Sequence, residues 1–249
     1  MIYLVCILNG FGGDEMINSI VRRHDRLHPF NEAQINIIRS TIKLFLQNGY
    51  SKTSIKMVEK DSGVKAGNIT YYFHSKEELL IVLVEELMDY HATMIEETHE
   101  KEKDTLFAYA LEVAVQIALC ENNRNAWDLY YSSYILPQTY EVIKTWGAEK
   151  NYNLLKDRLP DWTEHDFKEM EEVTSGIELA ALKSVCNRSY TLDKKISLFL
   201  NSLLILYEVP ERERKKQIEK VLELDYEKIA KDMFDKFVRR LDNIEEQNK

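Results

Sequence analysis

Between Thr53 and Phe73 the chain has room for two short helices and almost nothing between them, and this constrains the fold more than any other feature of the sequence. One helix is expected from about Ser54 to Lys60, with Thr53 as its N-cap and Gly63 just past its end, where a left-handed residue is wanted. The connection Asp61-Ser62-Gly63 is brief, and a second helix follows at once, about Ala66 to Phe73. Two helices joined by so short a glycine-containing turn make a helix-turn-helix. A longer helix precedes them, Asn31 to Asn48, where Ile35, Ile38, Ile42, Phe45 and Leu46 recur at spacings of three and four before Gly49 ends the run.

Ser75-Lys76-Glu77-Glu78 carries the Ser-x-x-Glu pattern of a capping box and announces a fourth helix with Leu79, Leu80, Leu83, Val84 and Leu87 on its buried face. Further helices are expected over Thr105 to Glu121, Asn125 to Ile135, Thr139 to Arg158, Glu164 to Asn187, Leu192 to Tyr207, Glu211 to Leu222 and Tyr226 to Leu241. Breaks are expected at Pro137, Pro160, Pro210 and near Ser189-Tyr190. With 4 Pro, 8 Gly and 30% charged residues in 249, the composition suits long helices with short loops. The fold class is all-α: a three-helix DNA-binding-type head at residues 31–90, a larger helical body at 91–249, and an N-terminal extension at 1–30.

The net charge of -9 divides unevenly. Met16 to Leu80 holds ten Lys/Arg against six Asp/Glu, a net of +4, so the rest of the chain carries -13. A basic head on an acidic body suits a nucleic-acid partner for the head. Arg22, Arg23 and Arg26, with His24 and His28, form a basic arm that reads either as a minor-groove or phosphate contact or as a disordered tail. Cys6, Cys120 and Cys186 are too scattered for a disulfide framework or a zinc site. The apolar run Ile2 to Leu8 lacks the basic flank of a signal peptide and the length of a membrane span, so a cytoplasmic protein is expected. Gly12-Gly13-Asp14 before Met16 can be encoded by RNA resembling a ribosome-binding site. The first fifteen residues therefore read either as translated leader before a start at Met16 or as a short extension from Met1.

The stretch Gly49-Tyr50-Ser51-Lys52-Thr53-Ser54-Ile55, followed by Gly63-Val64-Lys65-Ala66-Gly67-Asn68-Ile69-Thr70-Tyr71-Tyr72-Phe73-His74-Ser75-Lys76-Glu77-Glu78-Leu79, resembles the N-terminal domain of the TetR/AcrR family of bacterial regulators. The likeness covers about residues 31–80, with glycines, aromatic residues and the Ser-Lys-Glu cap at the family's spacing. Lys65 stands where the family usually has Ser, which removes the usual cap of the recognition helix. Thr70 stands where Tyr is usual, which puts one aromatic contact in doubt.

The residues make a physical case beside the resemblance. A helix N-terminus presents free N–H groups, so Thr53 and Ser54 are suited to a DNA phosphate. On the next helix Lys65, Ala66, Asn68 and Thr70 begin an exposed face, while Ile69 and Phe73 face the core. Asn68 is the candidate for reading a base edge, since Asn pairs bidentately with adenine. Gly67 inside a helix costs about 1 kcal/mol against Ala, which close approach of DNA or of the first helix would explain. Tyr71, Tyr72, His74 and Lys76 follow as candidate phosphate contacts, with one tyrosine a candidate for core packing.

For the body, the resemblance implies a homodimer and a pocket for an unknown small-molecule effector. Thr174, Gly176, Ala180, Ala181 and Ser184 give the helix at 164–187 a small-residue side, and Ile196, Phe199, Leu200, Leu203 and Leu204 give the helix at 192–207 an apolar stripe. Together they suggest a four-helix dimer interface. Trp127, Tyr130, Tyr131, Tyr134 and Trp146 are candidates for lining an effector pocket, or for ordinary core. No His-Glu-x-x-His, phosphate-cradling glycine loop or nucleophile elbow is present, so neither an enzyme nor a metal or cofactor is expected. The resemblance implies a repressor that binds a near-palindromic operator in double-stranded DNA and is released by its effector. An activator, or a head governed by a thiol switch or protein partner, remains the alternative.

Overall fold

The computed structural model describes residues 30–85 and 104–235; the basic arm, the leader and the chain beyond residue 235 lie outside them. The described residues form eleven helices and no strand, in agreement with the all-α expectation. They fall into two compact units, the first of residues 30–85, 124–139 and 231–235, the second of 104–123 and 140–230.

In the first unit, α1 (Glu32–Asn48) starts at Asn31, whose side chain accepts from Gln34 N–H while Gln34 Oε1 accepts from Asn31 N–H. Ile37, Ile38, Ile42, Phe45 and Leu46 are buried along one side of it. α2 (Ile55–Ser62) and α3 (Ala66–Tyr72) pack on this helix and on each other. Lys43 reaches Asp61 at 3.1 Å and ties the end of α2 to α1. Gly63 closes α2 in the left-handed conformation, φ 71°, as its place in the sequence requires. The helix itself runs through Asp61 and Ser62, so the turn is shorter than expected. α4 (76–85) buries Leu79, Leu80, Leu83 and Val84.

α6 (Arg124–Ile135), assigned to the body on sequence grounds, clusters with the first unit and packs on α1. α7 (Pro137–Leu155) follows almost at once. Pro137 does not interrupt a helix but opens one, because its missing N–H lies among those that have no partner in a first turn.

The second unit is built around α5 (Thr105–Asn122), buried on nearly every side from Leu106 to Ala118. A helix apolar all round belongs in the centre of a bundle. α8 (Glu164–Lys183), α9 (Leu192–Leu206) and α10 (Glu211–Leu222) pack against it, and α11 (226–235) follows. Thr163 caps α8 through a reciprocal pair with Asp166. The connection from α8 to α9 is fastened by Lys195, which donates to Ser184 O and to Glu121 at 2.7 Å, while Cys186 N–H donates to Glu121 at 3.0 Å.

Two readings of the body's surfaces need correction. Thr174 and Ala181, seven apart, face the unit's own interior, whereas Gly176 and Ala180 lie outside on another face; Ser184 caps the helix end. The small residues therefore form two sides. Of the stripe on α9, Ile196, Leu200, Leu203 and Leu204 are fully buried in the unit's own core. The apolar residues α9 turns outward are Leu198 and Ile205, 53% and 47% exposed.

Candidate nucleic-acid interface

Helix α3 has only seven residues, and its two sides differ sharply. Ile69 is wholly buried and Phe73, four residues on, nearly so, with the Phe73 ring 6.3 Å from that of Phe30. Lys65, Gly67, Asn68, Thr70 and Tyr71 are exposed, Tyr71 to 77%, and Ala66 and Tyr72 are half-buried. Tyr72 packs edge-on against Tyr71 with ring centres 5.4 Å apart.

Lys65 occupies the N-cap position without a side-chain cap bond, as its replacement of serine implies. Its ammonium group has donors and no acceptor, so it cannot take up a helix N–H at the start of α3. Thr70 returns its hydroxyl to Ala66 O. A methyl group at Gly67 would meet nothing within 4 Å, so approach of α1 does not account for this glycine.

The start of α2 differs from expectation. Ser54, not Thr53, is the N-cap, its hydroxyl accepting from Met57 N–H. Thr53 is 2% exposed and its hydroxyl donates inward to Leu44 O and Gly49 O. In this register Thr53 locks the loop after α1, and the exposed side of the helix start is left to Ser54, Lys52 and Lys56.

Lys76 is also turned inward. Its Nζ donates to Tyr50 O at 3.0 Å and Thr53 O at 3.1 Å and stands 3.9 Å above the Tyr50 ring. Partial burial holds its pKa below the ordinary lysine value, against the pull of Asp128. Two of its three donors therefore serve the loop between α1 and α2. His74 is exposed, with its ring and its backbone N–H both directed at Glu78. The Ser75 cap on α4 accepts from Glu78 N–H, but the Glu78 carboxylate takes the His74 N–H and not that of Ser75.

Sequence reasoning missed the residues that hold the loop from the other side. Asn125 donates to Gln47 O at 2.6 Å, and Asp128 accepts from Ser51. Both stand on α6, 78 and 77 residues from their partners, and no local pattern announces so distant a pairing.

The five aromatic candidates are divided. Trp127 and Tyr131 stack on one another at 4.8 Å with Arg124 over the Trp127 ring, and Tyr130 and Tyr134 are buried; all four lie in the first unit. Trp146 lies on α7 in the second. The second unit contains a polar interior that the sequence did not single out: Asn151 donates to Glu171 at 3.0 Å and to the Tyr207 hydroxyl at 2.8 Å, and Lys150 pairs with Glu112. Its members are spread over residues 109–207, so only the fold assembles them. Among the described residues no group of three His, Cys, Asp or Glu side chains is placed to hold a metal ion, and no helix is long and apolar enough to cross a membrane.

Residues 37–83 match the family described as bacterial regulatory proteins, tetR family. A fatty acid metabolism regulator protein of Bacillus subtilis is 28% identical over 91 residues, 36% of this chain and 47% of its own. The uncharacterised HTH-type transcriptional regulator YuxN of the same species is 29% identical over 106 residues, 43% of this chain and 36% of its own. The chain thus spans less than half the length of either relative. A Syntrophomonas wolfei protein assigned to the TetR-family transcriptional regulators superposes with a TM-score of 0.51 at 21% identity, over 72% of this chain and 96% of that one, a likeness of fold. The family match falls on the same helices whose exposed and buried sides are described above, and the likeness to the tetR family of bacterial regulatory proteins rests on residues 37–83.

Proposed function

We propose that the chain is a DNA-binding transcriptional repressor, acting as a homodimer on a near-palindromic operator and released by a small-molecule effector. The observation that carries the DNA reading is the two-sided character of α3: its apolar residues are spent on the core, while Lys65, Gly67, Asn68, Thr70 and Tyr71 stand open to solvent. In this reading α3 enters the major groove with Asn68 at a base edge. Gly67 permits close approach of the duplex. Ser54 at the α2 start, with Lys52, Lys56, Lys65, Tyr71, Tyr72 and His74, meets phosphates and sets the register.

The outer faces of α8 and α9 support the dimer. Val173 at 49% exposure stands on the same side of α8 as Gly176 and Ala180, and Leu198 and Ile205 stand on α9, the helix packed beside it. Apolar side chains beside an uncovered glycine suit helix-to-helix approach in a four-helix interface. Control by a thiol switch finds less support. Cys120 is buried and its thiol is pushed well above the ordinary range by burial. Cys186 is half-buried, and burial and Glu121 raise it too. Neither is poised as a thiolate.

The test is footprinting of the DNA upstream of the protein's own gene at two salt concentrations. Protection of a palindrome is expected, with Asn68→Ala relaxing one base position and Lys65→Ala reducing the salt slope by about 1. Absence of any protected site at both salt concentrations would overturn the reading.

A further inference from the structure

The hydroxyl of Thr70 is already committed. It donates to Ala66 O at 3.0 Å, one turn back along α3, although the residue itself is exposed. A hydroxyl has a single hydrogen to give. With that hydrogen on a backbone carbonyl, Thr70 has no donor left for the acceptors that line a major groove: N7 and O6 of guanine, N7 of adenine and O4 of thymine. A staggered threonine whose oxygen is drawn back to the i−4 carbonyl turns its γ-methyl away from that carbonyl, so the outward part of this side chain is apolar.

The neighbours leave this methyl open to a partner. A side chain on a helix covers the turn N-terminal to its own Cα, which here holds Ala66 and Gly67. Ala66 offers only a methyl and is half-buried, and a methyl at Gly67 would meet nothing within 4 Å. No long side chain therefore stands between Thr70 and a duplex that approaches this turn. The long and charged groups lie toward the two ends, Lys65 at the start of α3, Tyr71 near its end and His74 just beyond it. Donors and charge at the ends suit phosphates, and the short, uncharged middle suits the base edges.

We infer that Thr70 is a specificity-determining residue whose γ-methyl reads the C5-methyl of a thymine in the operator half-site. The thymine methyl is the apolar feature of the base edges in the major groove, and a threonine methyl is a fitting partner for it. A phosphate offers this methyl nothing, and a guanine–cytosine pair presents no methyl group. The bond to Ala66 also holds the side chain in one rotamer before DNA arrives, so the contact forms with little loss of rotamer freedom. The inference rests on the DNA-binding reading and deepens it. Asn68 and Thr70, two residues apart and so on different flanks of α3, call for adenine and thymine at separate base pairs.

The test uses the full chain to select duplexes from a pool of random sequence, then replaces each thymine of the enriched site, one at a time, by deoxyuridine, which lacks only the C5-methyl. At one position of the half-site the replacement is expected to weaken binding about fourfold, equally at low and high salt. Thr70→Ser keeps the hydroxyl and loses the methyl. It is expected to bind the thymine duplex about fourfold more weakly than the parent and to stop distinguishing deoxyuridine at that position, with its salt slope unchanged. Thr70→Val keeps the methyl and loses the hydroxyl, and is expected to retain the discrimination. Deoxyuridine tolerated at every position, or a discrimination that survives in Thr70→Ser, would overturn the inference and leave specific DNA binding in place. Discrimination lost in Thr70→Val and kept in Thr70→Ser would assign the reading to the hydroxyl and overturn it equally. No enriched sequence at all would overturn the DNA-binding reading and the inference together.

Discussion

Asp128 accepts two hydrogen bonds from Ser51, one from its backbone N–H and one from its hydroxyl, both at 2.7 Å. A carboxylate engaging a backbone donor and a side-chain donor of one residue fixes that residue in position and orientation. Ser51 lies in the loop between α1 and α2, whose carbonyls at Tyr50 and Thr53 are taken by Lys76, while Asn125 takes the Gln47 carbonyl in the last turn of α1. Two helices well separated in sequence, α4 and α6, thus clamp the loop that delivers Ser54 to the start of α2.

Gly49 is expected to tolerate no side chain because of this clamp. Its φ is +84°, and a methyl group would stand 2.6 Å from Asp128 Oδ2. Gly49→Ala should cost about 1–3 kcal/mol from backbone strain, with the clash in addition. In an Asp128→Ala background the cost should shrink toward the strain alone. Urea unfolding of the two single variants and the double variant measures the non-additivity, and strictly additive costs would show that Asp128 does not confine the glycine.

Lys76 gives a contrast with the exposed lysines of the head. Replacing it by Met removes a charged donor from two loop carbonyls, and a loss of about 1.5–3 kcal/mol of stability is expected. The salt dependence of DNA binding should stay near that of the parent, while Lys65→Ala lowers the slope by about 1. If Lys76→Met instead reduced the slope and spared stability, the lysine would be a phosphate contact after all.

The contrast shows where sequence reading succeeds. Ile69 and Phe73 were legible as core because four residues on a helix bring side chains to one face. Gly63 was legible because a left-handed cap suits glycine best. Thr53 was misread because Ser54, its neighbour, is an equally good cap, and the choice depends on Leu44 O and Gly49 O being within reach of the threonine hydroxyl. The same limit governs Ile196, Leu200 and Leu203: the stripe was visible, but whether a stripe faces its own core or a partner depends on α5, which is distant in sequence.

Dimer formation should therefore respond to the outward residues and not to that stripe. Val173→Glu with Leu198→Lys is expected to leave the helical content unchanged and to shift the chain toward monomer at micromolar concentration, measured by sedimentation. Leu200→Ala removes a fully buried side chain and should instead lower stability by about 2–5 kcal/mol. A double variant that remains dimeric would place the interface elsewhere.

Glu171 gives the fold a dependence on pH whose sign follows from its environment. Burial raises the carboxyl from an ordinary 4.5 to about 8 in the native chain, whereas the unfolded chain keeps the ordinary value. Below 4.5 both states carry the proton. Between 4.5 and 8 only the native state does, so each step up in pH favours unfolding, and above 8 the loss is complete. Other groups impose their own trends, but Glu171→Gln shares them all and lacks only this one. The melting temperature of the parent should fall relative to the variant from pH 5 to pH 8 and then run parallel to it. A difference that stays constant across that range would mean that Glu171 ionises in the folded chain as it does in water, and that Lys150 and the surrounding donors compensate its burial in full.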